Sequence, residues 1–213
     1  MKYSPSFSRN LICTAAISMF GLGAAMAETA PIGQVDRVQN SVTAANAGAT
    51  RVLVASDPIY FGETLTSAAA ARLEATLADE TRITLGENSS LVIDEFIYEP
   101  GSEGGSLALK VLEGTFLFVG GKVEGPTGGN VAISTPFATL GIRGTTVWGG
   151  PLDGAFAVFV AEGEVTVTNA GATVTLTPNM GTTITDAASP PQAPVQWKQD
   201  KVDRAFATMS FAE

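Results

Sequence analysis

The 213-residue chain contains no histidine and one cysteine, Cys13. Without histidine a Ser-His-Asp triad is impossible, and with Cys13 inside a segment expected to be removed, so are a cysteine nucleophile and an imidazole or thiolate zinc site. No disulfide can brace the fold, so burial alone must hold it together. Basic residues are also scarce, 12 Lys and Arg against 21 Asp and Glu, for a formal net charge of −9. That balance argues against nucleic acid and anionic lipid as partners, and suits a protein kept soluble by its charge. Beyond the first residues no apolar run approaches about 18, so no stable membrane insertion is expected. An Asp-x-Asp-x-Asp-Gly loop is missing as well, which removes the usual route to calcium; no cofactor and no metal are expected.

What the chain does have begins with Lys2 and Arg9, the apolar stretch Leu11 to Ala25, and Ala25-Met26-Ala27. This is the pattern of a secretory signal peptide, residues 1–27, cleaved after Ala27. The mature protein is then expected in the periplasm or outside the cell. Loss of Lys2 and Arg9 takes the net charge from −9 to −11, and 186 of 213 residues remain. Such a length suits one domain that buries roughly 70% of its unfolded surface. Leu11-Ile12 before Cys13 lacks the small residue that precedes a lipidated cysteine.

Period-two alternation dominates the middle of the sequence. Val165 and Val167 alternate with Thr166 and Thr168, and Thr173 to Thr177 repeats the pattern after Asn169-Ala170-Gly171, predicting a hairpin with threonines outside. Leu107, Leu109 and Val111 predict another strand, as do Phe116 and Phe118; Asp94-Glu95 should end the strand Leu91-Val92-Ile93 before Phe96 to Tyr98 resumes. The segment Glu113 to Phe118 echoes Glu162 to Val167, which suggests one unit used twice. Ala68 to Ala78 is rich in helix formers, yet Leu73, Ala75 and Leu77 alternate with polar residues, and it is read as strand. After a stiff linker, Ser189 to Pro194, Val202, Ala205, Phe206 and Met209 fall at helical spacing, with Asp200 the candidate N-cap. The expected fold is all-β, a β-roll, solenoid-like or sandwich arrangement of short antiparallel strands with a short C-terminal amphipathic helix. The expected division is a β domain over 28–186 and a Pro-rich linker with helix over 187–213, the helix packing back onto the β domain.

One stretch stands apart, Thr135-Pro-Phe-Ala-Thr-Leu-Gly-Ile-Arg-Gly-Thr145, where Arg143 lies between Gly141 and Gly144. If extended, Ala138, Leu140 and Ile142 share one face and Arg143 the other. Thr135, Pro136, Gly141, Arg143, Gly144 and Thr145 are therefore read as a structural motif in which a buried Arg143 ties carbonyls or a carboxylate such as Asp94, Glu95 or Glu164 together. Breaking a buried pair would cost roughly 3–5 kcal/mol, an exposed one about 0.2–1 kcal/mol. Thr146, Trp148 and Asp153, beside the glycine-rich loop Gly149 to Gly154, form a candidate recognition surface; the alternative for Trp148 is a place in the core. Glycoside cleavage needs two carboxyls roughly 5–9.5 Å apart across a cleft. Asp94 and Glu95 point to opposite faces, and Glu162 and Glu164 share one only if Gly163 does not turn the chain. No catalytic residue is assigned, and the protein is read as a non-enzyme.

The stretch Ile133 to Trp148 resembles the signature of FecR-type domains, and Ile59 to Tyr98, Glu113 to Val123 and Gly163 to Ile184 are similar to other parts of that family. Together the resemblance spans about Ile32 to Ile184. It implies an all-β domain on the periplasmic side of a bacterial envelope, which in regulators belongs to a membrane-spanning protein relaying the state of an outer-membrane transporter to a sigma factor. This chain departs in showing neither an anti-sigma segment before the domain nor a spanning helix, so that role is not carried over. Asp79-Glu80-Thr81 replaces the family's Asp-Gly-Thr, which disfavours a positive-φ turn and implies a different or strained one. The expectation is a non-catalytic accessory or sensory module that binds a protein of the cell envelope, of undetermined oligomeric state. The alternatives are a carbohydrate-binding or carbohydrate-cleaving envelope protein and a structural element of an extracellular assembly.

Overall fold

The computed structural model describes residues 30–101, 104–125 and 129–212, together with Met1. The signal peptide expected over 1–27, and Cys13 with it, lies outside the described residues apart from Met1. The strands run β1 (Gly33–Gln39), β2 (Val42–Asn46), β3 (Ala49–Val52), β4 (Pro58–Ile59), β5 (Thr64–Ser67), β6 (Arg72–Leu77), β7 (Arg82–Leu85) and β8 (Ser89–Ile97). They continue as β9 (Ser106–Glu113), β10 (Phe116–Val119), β11 (Asn130–Ser134), β12 (Thr139–Leu152), β13 (Ala155–Asn169), β14 (Ala172–Leu176), β15 (Met180–Ile184) and β16 (Val195–Gln196). A 3-10 turn at Lys122–Glu124 precedes β11, and α1 (Gln199–Ala207) is the last element of the described chain.

All sixteen strands join one curled, mixed sheet, a half-barrel. Its centre is the hairpin of β12 and β13, far longer than the strands around it. The first part of β12 pairs with β11 and the later part with β10, while β13 accompanies it throughout. Two wings result. The first carries β3-β2-β5-β8-β9-β11 and leads into Thr139–Arg143; the second carries β4-β1-β6-β7-β10 and leads into Thr146–Gly149. Neighbours are antiparallel except β9 and β11, which are parallel because the intervening chain crosses to the second wing as β10 before returning.

Period-two alternation sets what each wing buries. Leu65, Leu91, Ile93, Leu107, Leu109, Ile133, Leu140, Val165 and Val167 of the first wing meet Leu73, Ala75, Ile83, Leu85, Phe116, Phe118 and Val147 of the second in one core. Residues 72–77 form the strand that alternation predicted, against their helix-forming composition. Burying Leu73 and Leu77 contributes about 1.5–3 kcal/mol each, more than summed helix propensity can offset. Strand β8 does not stop at Asp94-Glu95; a bulge between Ile93 and Glu95 lets it run on to Ile97. The expected repeat is not one, since Phe116 to Phe118 belongs to the second wing and Val165 to Val167 pairs within the first.

A second core lies on the outer face of the second wing, under the C-terminal segment. Trp148, Ala157, Phe159 and Trp197 pack there with Ala205 and Met209, flanked by Val202 and Phe206. Phe159 stacks on Trp197 with ring centroids 5.0 Å apart, and Trp148 Nε1 donates to Thr208 Oγ1 at 3.2 Å. The expected helix therefore docks on the β domain, but its N-cap is Lys198, with no side-chain capping bond, and Asp200 sits in its first turn. The segment before it is pinned: Gln192 N–H donates to Thr183 O at 3.0 Å, and Thr182 Oγ1 donates to Gln192 O at 2.6 Å. Beyond the helix, Phe211 lies under the Arg37 guanidinium, 4.1 Å from its ring centroid, and Ala212 N–H donates to Gln39 Oε1 at 2.7 Å. The tail thus crosses the second wing from β15 to β1 as a strap.

Candidate functional site

The hairpin changes wing at Arg143-Gly144-Thr145, and the register of β12 on β13 shifts there, between Arg143 and Thr146 and again between Thr146 and Val147. Both strands need glycine at the corner. Gly144 has φ +62° and Gly163 φ +80°, and a Cβ on Gly163 would collide with the Gly144 carbonyl oxygen. Gly163, at φ +80°, does turn the chain between Glu162, which pairs with Thr146, and Glu164, which pairs with Arg143.

Arg143 is exposed. As expected it lies opposite to Ala138, Leu140 and Ile142, which are buried, but its own side of the strand faces solvent and it makes no ion pair or side-chain hydrogen bond with the described residues. The expected buried guanidinium clamp is corrected accordingly. An acid does the pinning. Asp79 is 0% exposed and accepts from Thr81 N–H (3.1 Å) and Thr81 Oγ1 (2.6 Å), and from Val123 N–H at 3.0 Å, while its own carbonyl accepts from Lys122 N–H at 2.6 Å. This ties the β6–β7 turn to the 3-10 turn. Glu80 holds φ +72° in that turn, so the departure from Asp-Gly-Thr is met by strain and not by a different turn. Glu80 also pairs with Lys122, whose ammonium is held above its usual range by that hydrogen bond and charge.

The 3-10 turn in turn reaches the corner. Glu124 Oε2 accepts from Gly144 N–H, and Gly120 N–H donates to Thr145 O at 2.9 Å. Between these groups lies an open recess of about 160 Å³, lined by Gly120, Gly121, Glu124, Thr145, Thr146 and Glu162 among others. Sequence reasoning missed Asp79 and Glu124. The signal available for Asp79 was its place in an Asp-x-Thr turn, whose side chain can close on its own backbone.

The other motif residues do not converge on this corner. Thr135 Oγ1 accepts from Phe137 N–H (3.1 Å) and Ala138 N–H (2.9 Å), fixing the turn around Pro136 that joins β11 to β12. Gly141 lies in the strand, where a Cβ would press on Thr166 Oγ1 at 2.6 Å. Of the candidate recognition surface, only Thr146 lines the recess. Trp148 is 0% exposed beneath the strap, which removes it from any surface. The expected loop after it is strand, because Gly149 and Gly150 make room for Phe116 and Thr115; the turn is only Asp153-Gly154. Asp153 is exposed but engaged with Arg204 and with Lys201, the latter at 3.4 Å. The Arg204 hydrogen bond, with help from Lys201, holds its carboxyl below the usual carboxylate range.

Among the described residues no three His, Cys, Asp or Glu converge on a metal geometry, and no helix is long and apolar enough to cross a membrane. Residues 63–166 match the family described as FecR protein. Two crystal structures, each of a candidate anti-sigma factor from Parabacteroides distasonis ATCC 8503, superpose with TM-scores of 0.51 and 0.52, both at 18% identity. The match covers 66% of this chain and 62% of each of those chains, and at that identity it speaks for the fold alone. No curated protein matches.

Proposed function

Since residues 63–166 carry a FecR domain, we propose that this chain is a non-catalytic, exported accessory or sensory module that binds another protein of the bacterial cell envelope. The observation that supports it most is the contrast between the two outer faces. The second wing is strapped by the C-terminal segment. The first wing has no such cover among the described residues: on its outer face Ala45, Thr64, Val92, Lys110, Ser134 and Thr139 stand side by side across six strands. Ala108, Ala132, Gly141 and Thr166 form the next row. Apart from Val92 and Lys110 these side chains are short, and such a face lets a partner approach closely at little entropic cost. Both tryptophans are buried, so this face lacks the exposed indole on which a sugar ring could stack, and the carbohydrate reading loses ground.

The test is capture from envelope extract, run beside a glycan array on the same protein. Ala132→Arg places a long cation on this outer face without entering the core. Binding of a protein that Ala132→Arg abolishes, with an unchanged thermal melt, is the expected result. Saturable glycan binding with no protein partner would overturn the reading.

A further inference from the structure

Beyond Thr139–Arg143 the first wing continues through the second half of β13 to β14, so it ends at β3 on one side and at β14 on the other. Both edge strands come from hairpins of nearly the same sequence. Asn46 to Leu53 reads Asn-Ala-Gly-Ala-Thr-Arg-Val-Leu, and Asn169 to Leu176 reads Asn-Ala-Gly-Ala-Thr-Val-Thr-Leu. Each turns at Ala-Gly, with positive φ at Ala47 and Gly48 and at Ala170 and Gly171. In the β2–β3 hairpin Leu53 N–H donates to Val42 O at 2.9 Å. Antiparallel pairs that exchange bonds recur at every second residue, so Arg51 and Ala49 also bond to β2, and the backbone groups of Thr50 and Val52 point to the open side. The same turn sets the same phase in the other hairpin. There Ala172, Val174 and Leu176 bond to β13, and Thr173 and Thr175 turn their N–H and C=O groups outward. Among the described residues β14 pairs with β13 alone.

Natural sheets blunt such edges with charge, proline, bulges or very short strands. Strands β4 and β16 are two residues long, and β3 carries Arg51, paired with Glu63 at 2.9 Å. Strand β14 has no charge, proline or bulge, its Thr173 and Thr175 are exposed, and its Val174 is only partly buried against the core. We propose that β14 pairs antiparallel with β14 of a second copy of this chain, about a two-fold axis at Val174. Thr173-Val174-Thr175 reads the same in both directions, as an isologous contact requires. Thr173 of one copy faces Thr175 of the other, each such pair exchanging both backbone bonds, and the two Val174 side chains meet across the axis on the core side. On the outer face Thr139, Thr168 and Thr173 already stand in line, and Thr168 Oγ1 lies 2.9 Å from Thr173 Oγ1; the second copy's Thr175 extends that row. Pairing β3 with itself would set Arg51 against Arg51, and pairing β3 with β14 would press that guanidinium against Val174, so neither competes. A contact between two strands of five residues falls short of the roughly 1,200 Å² of stable complexes, so the dimer is weak and reversible.

The experiment is sedimentation equilibrium of the full chain from about 5 μM to about 1 mM, with amide exchange at both ends of that range. A monomer–dimer equilibrium is expected, in which Thr173 and Thr175 N–H exchange more slowly at high concentration while Thr50 and Val52 N–H do not. Thr175→Pro removes an outward donor without touching the bonds to β13, and should weaken the dimer by about tenfold or more. Thr173→Lys with Thr175→Lys should abolish it, as should Thr173→Glu with Thr175→Glu, and mixing the two double variants should restore association. These positions are exposed, so melts of the variants at low concentration should match the parent. The proposal is overturned by a chain that stays monomeric at the top of the range, by association that the lysine substitutions leave intact, by a mixture that does not associate, or by oligomers larger than the dimer in which Thr50 and Val52 become protected.

Discussion

Arg143→Ala is expected to cost no more than about 0.2–1 kcal/mol in a urea melt, because an exposed arginine without a partner contributes little. Asp79→Ala should cost roughly 3 kcal/mol or more. It strips the acceptor from Thr81 N–H, Thr81 Oγ1 and Val123 N–H in a fully buried position, at about 1–3 kcal/mol for each orphaned donor. Similar losses for the two variants would mean that the corner is not pinned by the acid. Glu80→Gly tests the strained turn: a non-glycine residue at φ +72° costs about 1–2 kcal/mol, and the exposed pair with Lys122 returns at most about 1 kcal/mol. A gain of about 0.5–1 kcal/mol is expected, with Lys122→Ala measuring the pair alone. The sequence gives the face on which Arg143 lies, since alternation is local. Whether that face is covered depends on what packs against it, and nothing near Arg143 in the sequence says so.

At the scale of elements, the strap is the piece most sensitive to conditions. Asp153, in the β12–β13 turn, holds α1 through Arg204 and Lys201. Its carboxyl is depressed in the folded state, so its stabilising contribution is fully present above the unfolded value, near pH 3.9, and is lost as pH falls through the lower folded value. Loosening of α1 is therefore expected below about pH 4, and Asp153→Asn should abolish that pH dependence while leaving the strap docked on its aromatic contacts. Amide exchange of residues 199–207 checks this. Independence from pH in the parent protein, or detachment in Asp153→Asn at neutral pH, would reject it. The helix was legible because Val202, Ala205, Phe206 and Met209 follow its period. Its footing on Trp148 and Phe159 was not, because those side chains lie on the strand face that alternation assigns to solvent, and only a distant segment makes them core.

At the scale of the molecule, the fold depends on one hairpin serving two wings, so the corner should tolerate far less than either wing. The two glycines there give a graded test. Gly144→Ala meets only the conformational cost of φ +62°, about 1–2 kcal/mol, since its Cβ would lie 3.8 Å from Glu124 Oε2, an ordinary contact. Gly163→Ala adds a collision with the Gly144 carbonyl oxygen, backbone against backbone, which no rotamer relieves. The hairpin would have to open where its register already shifts, separating Thr139–Arg143 of the first wing from Thr146–Gly149 of the second. Gly163→Ala is therefore expected to cost at least about 2 kcal/mol more than Gly144→Ala, and to lower the unfolding midpoint of both wings together. Equal effects of the two substitutions in urea melts, or loss of one wing's amide protection with the other intact, would show that the wings fold independently. The shared core argues for a single transition: Leu140 and Val147, on opposite sides of the bend in β12, are both fully buried in it. The bend itself was only one of two readings of the sequence, because Gly-x-Arg-Gly reads equally well as an unbent strand with a close neighbour. Only the partners on the far side, β11 for one half and β10 for the other, make it a corner.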